Sequence, residues 1–347
     1  MGKGPIRINL ALQGGGAHGA FTWGVLDRLL DEDDIEVAAI SGTSAGAMNG
    51  AAFKSGLLEG GREGARANLD WLWQQLGAIQ DTPMTQWMMA FAPPAAVLGR
   101  AFEFSLGNAM ADAAARFSSP YAWGPFWDIP LRKVAERFHY DTVCAADGPR
   151  LFICATNVQT GKIRVFTGDD ISPDAILASA CLPTLFRAVE IENPATGETE
   201  AFWDGGYTGN PALFPLFAPD LPDDVLIVNI NPLERAEVPR TPQQIHNRIN
   251  EISFNSSLLR ELRAIGFVKR LLDDGSLQRG HMKAVLVHMI ADDALMTELS
   301  VATKLAPGPV LLAQLKDAGR AAADAFLAAH KSDLGQRSTV DLQAMYE

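Results

Sequence analysis

The chain has 347 residues, of which 48% are hydrophobic and 20% are charged. This composition supplies enough apolar material for one large packed domain or two smaller ones, and it excludes a disordered or fibrous protein. The 29 Lys and Arg residues against 41 Asp and Glu residues give a formal net charge of −12, which repels nucleic acids and anionic lipid headgroups. We therefore expect no nucleic-acid partner, and any contact with a membrane surface must come from apolar side chains.

Membrane-spanning and export signals are not evident in the sequence. The most apolar stretch, residues 82–99, is interrupted by Thr, Gln and Pro and falls short of the roughly 18 to 20 apolar residues that span a bilayer. Residues 1–12 lack the apolar core of a signal peptide, so we expect a cytoplasmic protein. A reducing compartment also fits the cysteines, which would leave one unpaired in any disulfide scheme: Cys144, Cys154 and Cys181.

The first part of the chain predicts alternating strands and helices. Residues 6–12 are typical of a strand, a glycine-rich stretch follows, and the apolar spacing of residues 20–30 predicts a helix. A second buried strand is predicted over residues 35–41, followed by an Ala-rich helix over residues 45–55.

Further elements follow the same alternation. Strands are predicted over residues 151–156, 163–167, 199–203, 225–230 and 284–290. Helices are predicted over residues 173–180, 241–272 and 309–330. This order predicts an α/β fold in three layers, with helices on both faces of a largely parallel central sheet.

Residues 70–131 depart from this alternation because they are rich in Trp, Met and Phe. We predict a helical insertion that forms an acyl-binding pocket or a lid at a lipid surface, with Gly and Pro residues as hinges. A buried helical subdomain packed on the sheet is the alternative. Five of the seven tryptophans lie in this segment: Trp71, Trp73, Trp87, Trp123 and Trp127.

The motif Gly42-Thr43-Ser44-Ala45-Gly46 is a G-x-S-x-G sequence between a predicted strand and a predicted helix. In that position the motif is typical of a sharp turn that exposes a nucleophilic serine, and small residues at Gly42 and Gly46 permit the turn. The helix that follows would favour a developing anion through its N–H groups and dipole. A chance occurrence in a Gly-rich chain is the alternative.

The earlier motif Gly14-Gly15-Gly16-Ala17-His18-Gly19 also fits the G-x-G-x-x-G fingerprint of dinucleotide sites. That fingerprint needs an acidic residue at the end of the second strand, where the sequence has Ser44 instead. Three adjacent glycines expose consecutive backbone N–H groups, and the carboxyl ends of neighbouring parallel strands would place them beside Ser44. The pattern therefore favours an oxyanion hole formed by Gly14, Gly15 and Gly16.

A serine nucleophile needs a base, and the residues offer two schemes. An α/β-hydrolase triad could combine Asp204 with His281 or His288, although such enzymes build several strands before the serine. In the other scheme, Asp204 itself is the base. It lies at the end of a predicted strand, immediately before the Gly205-Gly206 turn. An Asp before glycines is also a common turn former.

The three motifs occur in the order Gly14–Gly19, Gly42–Gly46, Asp204–Gly206, and this order resembles the patatin-like phospholipase family, whose members hydrolyse acyl esters with a Ser-Asp dyad. Residues 178–183 and 209–211 also resemble the family. His18 departs from it, since the family commonly has Arg at that position, and His18 could instead serve as a general acid. The resemblance implies a catalytic core over residues 6–216, which includes the insertion at 70–131. We also predict a C-terminal α/β part over 217–330 packed on the same domain, and the composition predicts a polar tail over 331–347.

The resemblance also implies roles for individual residues. Ser44 would attack the ester carbonyl, Asp204 would act as general base and then acid, and the glycine N–H groups would bind the oxyanion. His18, Gly19, Gly42, Gly46, Gly205 and Gly206 would support these motifs. No cofactor or metal is expected.

The implied substrate is an acyl-ester lipid, either a phospholipid or a simpler ester. An acyltransferase or a polyester depolymerase would use the same acyl-serine chemistry and stays open. A protein of another class, which binds nucleotides through the Gly-rich loop without turning over esters, is the remaining alternative.

Overall fold

A computed structural model describes residues 4–78, 119–123 and 129–346, apart from Glu237, Arg279, His281, Ser300 and Ala306. Most of the apolar segment predicted as an insertion, including Trp87 and Trp127, lies outside the described residues. The prediction of a lid or a buried subdomain there is therefore a sequence-based prediction alone.

Among the described residues, eight strands form one sheet in the order β5-β6-β3-β2-β1-β7-β8, with β4 paired to β3. The strands are β1 (Ile6–Leu12), β2 (Ile35–Gly42), β3 (Arg150–Asn157), β4 (Ile163–Thr167), β5 (Val189–Glu192), β6 (Thr199–Asp204), β7 (Asp224–Asn229) and β8 (Leu286–Ala291). Strands β3, β2, β1, β7 and β8 pair in parallel, whereas β4, β5 and β6 join through antiparallel pairs. The central sheet is thus mostly parallel, as predicted.

Helices connect these strands in the described part of the chain. They are α1 (Gly19–Leu29), α2 (Ala45–Ala78), α3 (Arg132–Ala135), α4 (Tyr140–Val143), α5 (Pro173–Ser179), α6 (Pro242–Asp273), α7 (Asp293–Glu298) and α8 (Pro309–His330). A short 3₁₀ segment, Val301–Leu305, precedes α8.

Two apolar cores lie on opposite faces of the sheet, because successive strand side chains point to opposite faces. Leu10 and Leu12 of β1 belong to the larger core, which contains apolar residues of α1, α2 and α8. Ala11 belongs to the second core, with Leu258 and Leu262 of α6. The molecule is therefore a three-layer α/β sandwich, which confirms the predicted fold class.

The helix predicted over residues 45–55 corresponds to the first part of α2, which consists of two helices separated at Gly60 and Gly61, whose backbone angles are not helical. The chain reverses there, because Asn68 Nδ2 donates to the Ala52 carbonyl, 16 residues earlier. Trp73, which the tryptophan-rich composition had grouped with the insertion, lies in the larger core at 2% exposure and donates its indole N–H to Asn49 Oδ1 at 2.9 Å. The beginning of that apolar segment is thus part of the second of these helices, which packs in the larger core.

Strand β5 was absent from the sequence prediction, since Val189–Glu192 alternates over only four residues. It pairs with β6 and lies at the edge of the sheet. Of the helices that the structure describes, none is long and apolar enough to cross a membrane.

Candidate active site

The site lies at the carboxyl edge of the parallel strands. Leu12, Gly42 and Val228 stand side by side in the registers of β1, β2 and β7, so the loops that follow these strands converge. Strand β6 runs antiparallel to β3 and brings its last residue, Asp204, opposite Ala155. The four loops that follow β1, β2, β6 and β7 hold the candidate site residues, as expected for open α/β sheets.

Ser44 occupies the sharp turn between β2 and α2. Its φ of 53° lies in the left-handed region, which is unusual for a residue with a side chain. The turn is tight because a Cβ on Gly42 would lie 2.6 Å from the Gly46 carbonyl oxygen, and a Cβ on Gly46 would lie 2.1 Å from that of Leu12. The small residues of the G-x-S-x-G motif are therefore required by packing.

Hydrogen bonds from distant parts of the chain hold this turn. The Ser44 N–H donates to Ser179 Oγ at 2.8 Å, and Ser179 Oγ donates to the Cys154 carbonyl at 2.6 Å. The Thr43 hydroxyl donates to the Gly209 carbonyl at 2.6 Å. Ser179 and Gly209 lie in the two additional stretches that the sequence analysis singled out, and both stretches support the turn.

Asp204 is buried next to Ser44. Its carboxylate accepts a hydrogen bond from the Gly206 N–H at 2.7 Å, and the Ser44 hydroxyl lies near it. Burial raises the pKa of Asp204 to about 7, while these two polar neighbours act in the opposite direction. Gly205 lies so close to the Cys154 carbonyl that a Cβ there would be 2.1 Å away, which fixes the backbone after the carboxylate.

The glycine-rich loop after β1 lies against the serine turn. A Cβ on Gly14 would come within 2.9 Å of Ser44 Cβ, so the two loops are in contact. The Gly14 N–H donates to Asn210 Oδ1 at 2.7 Å, whereas the N–H groups of Gly15 and Gly16 donate to no other described residue. Gly19 packs on Ala45, at the start of α2.

Hydrogen bonds from buried amide side chains support the glycine-rich loop. Gln13 Oε1 accepts from the backbone N–H groups of Ile230 and Asn231 and from Asn231 Nδ2. Asn231 Nδ2 also donates to the Gly14 carbonyl at 2.8 Å. Asn255 of α6 donates to the carbonyls of Asn231 and Pro232. The sequence analysis missed this cluster, because isolated Asn and Gln residues give no pattern signal.

His18 is buried and bonded to a residue far along the chain. Its Nε2 lies 2.7 Å from the Thr303 hydroxyl. Burial, together with the charges of Lys304 and Arg235, holds the pKa of His18 well below its usual range. His18 is therefore a neutral imidazole at physiological pH.

The other histidines that are described lie elsewhere. His288 is buried and its Nε2 is 2.9 Å from Asp224 Oδ1, at the first residue of β7, whereas the site follows the last residues of that strand. His139 pairs with Glu59 and His330 with Asp333. His281 and the side chain of His246 lie outside the part of the chain that the structure describes.

Potential metal ligands do not cluster in the part of the chain that the structure describes. There, no group of three or more His, Cys, Asp and Glu side chains has the proximity to hold a metal ion.

The comparisons with known proteins agree with the motifs. Residues 10–217, more than half of the chain, match the family described as patatin-like phospholipase, and the chain belongs to this family. Membership supports lipid acyl hydrolase activity in general. A comparison with curated proteins gives no match.

Two solved structures are similar at low identity. VipD from Legionella pneumophila is 14% identical, with a TM-score of 0.43, and the match covers 94% of this chain and 67% of that one. The ExoU–SpcU complex from the type III secretion system of Pseudomonas aeruginosa is 19% identical, with a TM-score of 0.28 and coverage of 99% and 66%. The chain thus spans about two thirds of each of these proteins.

Proposed function

We propose that the protein is a serine lipid acyl hydrolase that cleaves acyl esters through an acyl-serine intermediate, with Ser44 and Asp204 as its catalytic dyad. The observation that carries this proposal is the position of the Ser44 hydroxyl beside the buried Asp204 carboxylate, at the edge of the sheet where the glycine-rich loop also lies.

In the first step, Ser44 Oγ forms a bond to the ester carbonyl carbon while its proton passes to Asp204. The tetrahedral intermediate then collapses, the bond to the alcohol oxygen breaks, and Asp204 returns the proton to the departing alcohol. A water molecule attacks the acyl-serine, gives a proton to Asp204, and releases the acid as Ser44 recovers its proton. Each step needs one proton acceptor, which a single carboxylate provides.

The burial of Asp204 makes this chemistry feasible near neutral pH. An ordinary aspartate is too weak a base, because general bases work best when their pKa is close to the working pH. Burial raises the pKa of Asp204 to about 7, which supports its role as base and acid.

The oxyanion would be stabilised by backbone N–H groups of the glycine-rich loop. The Gly14 N–H already donates to Asn210, so we assign the oxyanion contacts to Gly15 and Gly16, with Gly14 as the close contact to Ser44. His18 stays neutral and supports the loop through Thr303, which argues against the role of general acid.

The proposal is tested with a fluorophosphonate probe and a short p-nitrophenyl ester. The wild type is expected to be labelled stoichiometrically at Ser44, as located by peptide mapping. Ser44→Ala and Asp204→Asn should each lower turnover by at least about 100-fold, the lower range for loss of an acid-base group, and the double variant should be scarcely worse because the dyad works as a unit.

His288→Gln is the matched control, since His288 is buried and paired with a carboxylate but lies away from the site. It should keep its turnover within about tenfold of wild type, below the contribution of a general base. Retention of most turnover in Asp204→Asn, or nucleotide binding without probe labelling, would overturn the proposal.

A further inference from the structure

The peptide group between Gly14 and Gly15 is held by a chain of hydrogen bonds that begins at Lys304. Lys304 lies in the 3₁₀ segment Val301–Leu305, beyond the residues that match the family. Its Nζ donates to Asn231 Oδ1 at 2.7 Å, and Asn231 Nδ2 donates to the Gly14 carbonyl at 2.8 Å. Asn231 is fully buried, so the bond from Asn231 to the Gly14 carbonyl is shielded from water.

This connection fixes the direction of a potential oxyanion donor. In a planar trans peptide the carbonyl and the N–H of the next residue point in opposite directions. Because Asn231 anchors the Gly14 carbonyl, the Gly15 N–H is directed away from Asn231. A hydrogen bond to the carbonyl also polarises the same peptide group and strengthens its N–H as a donor.

The same segment contacts the loop at two further positions. The Lys304 carbonyl oxygen lies so close to Gly16 that a Cβ there would be 2.1 Å from it. Gly16 has a φ of 58°, which a residue with a side chain rarely adopts. The neighbouring Thr303 hydroxyl lies 2.7 Å from His18 Nε2. Residues 303 and 304 therefore contact the glycine-rich loop at Gly16 and at His18.

The groups that face Lys304 determine when it is charged. Glu251 of α6 favours the ammonium form, while Arg235 disfavours it. Arg235 and Arg248 both pair with Glu251, which is 3% exposed. His18, which also lies near Lys304, is neutral. Burial, the largest effect, lowers the pKa of Lys304 to about 8, so its charge persists at neutral pH and is lost above it.

We propose that Lys304 is a positioning residue for ester hydrolysis: through Asn231 it orients and polarises the Gly14–Gly15 peptide so that the Gly15 N–H binds the oxyanion. This inference rests on the proposed function, since it assigns a partner to the oxyanion loop of that reaction. Lys304 acts through the loop and does not contact the reacting atoms.

The test compares Lys304→Met, which removes the charge, with Lys304→Arg, which keeps it. Lys283→Met is the matched control, because Lys283 is also a partly buried lysine that donates to oxygen atoms, the carbonyls of Leu216, Ala218 and Leu221, outside the site. The measurements are kcat and KM for p-nitrophenyl butyrate, the rate of fluorophosphonate labelling, and the melting temperature.

Deleting an oxyanion donor outright costs about 100- to 1000-fold in kcat, so weakening one through Lys304→Met is expected to lower kcat and the labelling rate by about tenfold or more. KM should change less than about twofold, because the effect arises in the transition state. Lys304→Arg should recover most of kcat, and Lys283→Met should leave both rates near wild type.

The pH dependence of kcat gives a second measurement. It compares the wild type with Lys304→Arg, both of which we expect to fold. The wild-type kcat should fall as the pH rises through about 8, where Lys304 loses its proton. In Lys304→Arg this decline should move to higher pH, because a guanidinium stays charged.

Wild-type rates in Lys304→Met would overturn the inference, as would an unmoved alkaline decline in Lys304→Arg. Equal losses of kcat and melting temperature in both Lys304 variants would also overturn it, since they indicate a structural role alone. If the wild type itself is neither labelled nor active, the proposed function fails, and this inference fails with it.

Discussion

The backbone N–H of Ser44 donates to the hydroxyl of Ser179 at 2.8 Å, across a separation of 135 residues in the chain. Ser179 is the last residue of α5, and its hydroxyl in turn donates to Cys154 of β3. Backbone strain at a functional residue persists only when the surrounding structure holds it in place. Ser179 is thus one of the contacts that keep Ser44 in its left-handed conformation.

We predict that Ser179→Ala lowers both stability and turnover. The substitution leaves the buried Ser44 N–H without its Ser179 partner and removes one hydrogen bond to the Cys154 carbonyl, and an unpaired buried group costs about 1–3 kcal/mol. Urea unfolding should show a loss in that range, together with a lower kcat as the turn relaxes. Ser41→Ala is the matched control, since Ser41 is a buried serine whose hydroxyl donates to the Ala212 carbonyl. Ser41→Ala should lose stability while keeping kcat near wild type. Equal kcat losses in both variants would argue against a role of Ser179 in holding the Ser44 turn.

A second prediction concerns the pH dependence of stability. The unfolded chain ionises Asp204 near its ordinary pKa of 3.8, whereas the folded protein keeps the proton until about pH 7. Asp204 therefore lowers the free energy of unfolding progressively as the pH rises from about 4 to about 7, and by a constant amount above that. Asp204→Asn removes this penalty, so it should be the more stable protein at pH 8.

The size of this effect is bounded by the shift in pKa. One pKa unit corresponds to about 1.4 kcal/mol, so the gain at pH 8 is at most about 4 kcal/mol. Melting curves of wild type and Asp204→Asn should converge near pH 4 and diverge up to pH 7. Activity should show the complementary trend, with kcat/KM rising through about pH 7 as Asp204 loses its proton. A difference in melting temperature that does not vary with pH would contradict the burial of an ionisable carboxyl.

A third prediction concerns the contact between the first and last long helices. A Cβ on Gly24 of α1 would lie 1.9 Å from the Lys316 carbonyl oxygen of α8, and one on Gly319 of α8 would lie 2.0 Å from that of Phe21. Each glycine therefore admits the backbone of the other helix. Gly24→Ala and Gly319→Ala should each destabilise the protein by about 1–3 kcal/mol through overpacking, as measured by urea unfolding.

Gly266 of α6 provides the control, because it is also a glycine within a helix but a Cβ there would meet its nearest neighbour at an ordinary 3.7 Å. Gly266→Ala should leave stability unchanged or raise it by up to about 1 kcal/mol, the difference in helix propensity. If all three substitutions raised stability by similar amounts, this result would contradict the close approach of α1 and α8.

The sequence predicted those features that depend on neighbouring residues. Hydrophobic alternation located β1 and β2, and small residues around Ser44 indicated a tight turn at the end of β2. Because parallel strands share one carboxyl edge, the proximity of Ser44 to the glycine-rich loop could also be inferred.

Features that depend on tertiary contacts could not be predicted in this way. The Gly14 N–H donates to Asn210, and Lys304, which lies far along the chain, donates to Asn231. A single Asn or Lys has no periodicity that would indicate such a partner. The second helix of α2, which ends at Ala78, was not predicted as a separate element, because local composition does not reveal that Leu69, Leu72 and Trp73 pack into the core.

The position of β1 in the middle of the sheet has a consequence for synthesis on the ribosome. Its partner β2 emerges early, but its other partner, β7, begins only at Asp224, and α8, which covers α1, is made last. Until then a nascent chain presents one unpaired edge of β1 and the uncovered face of α1 that carries Gly24. Both surfaces favour aggregation. Translation must therefore reach the C-terminal helix before the first strand and helix of the chain are shielded from other chains.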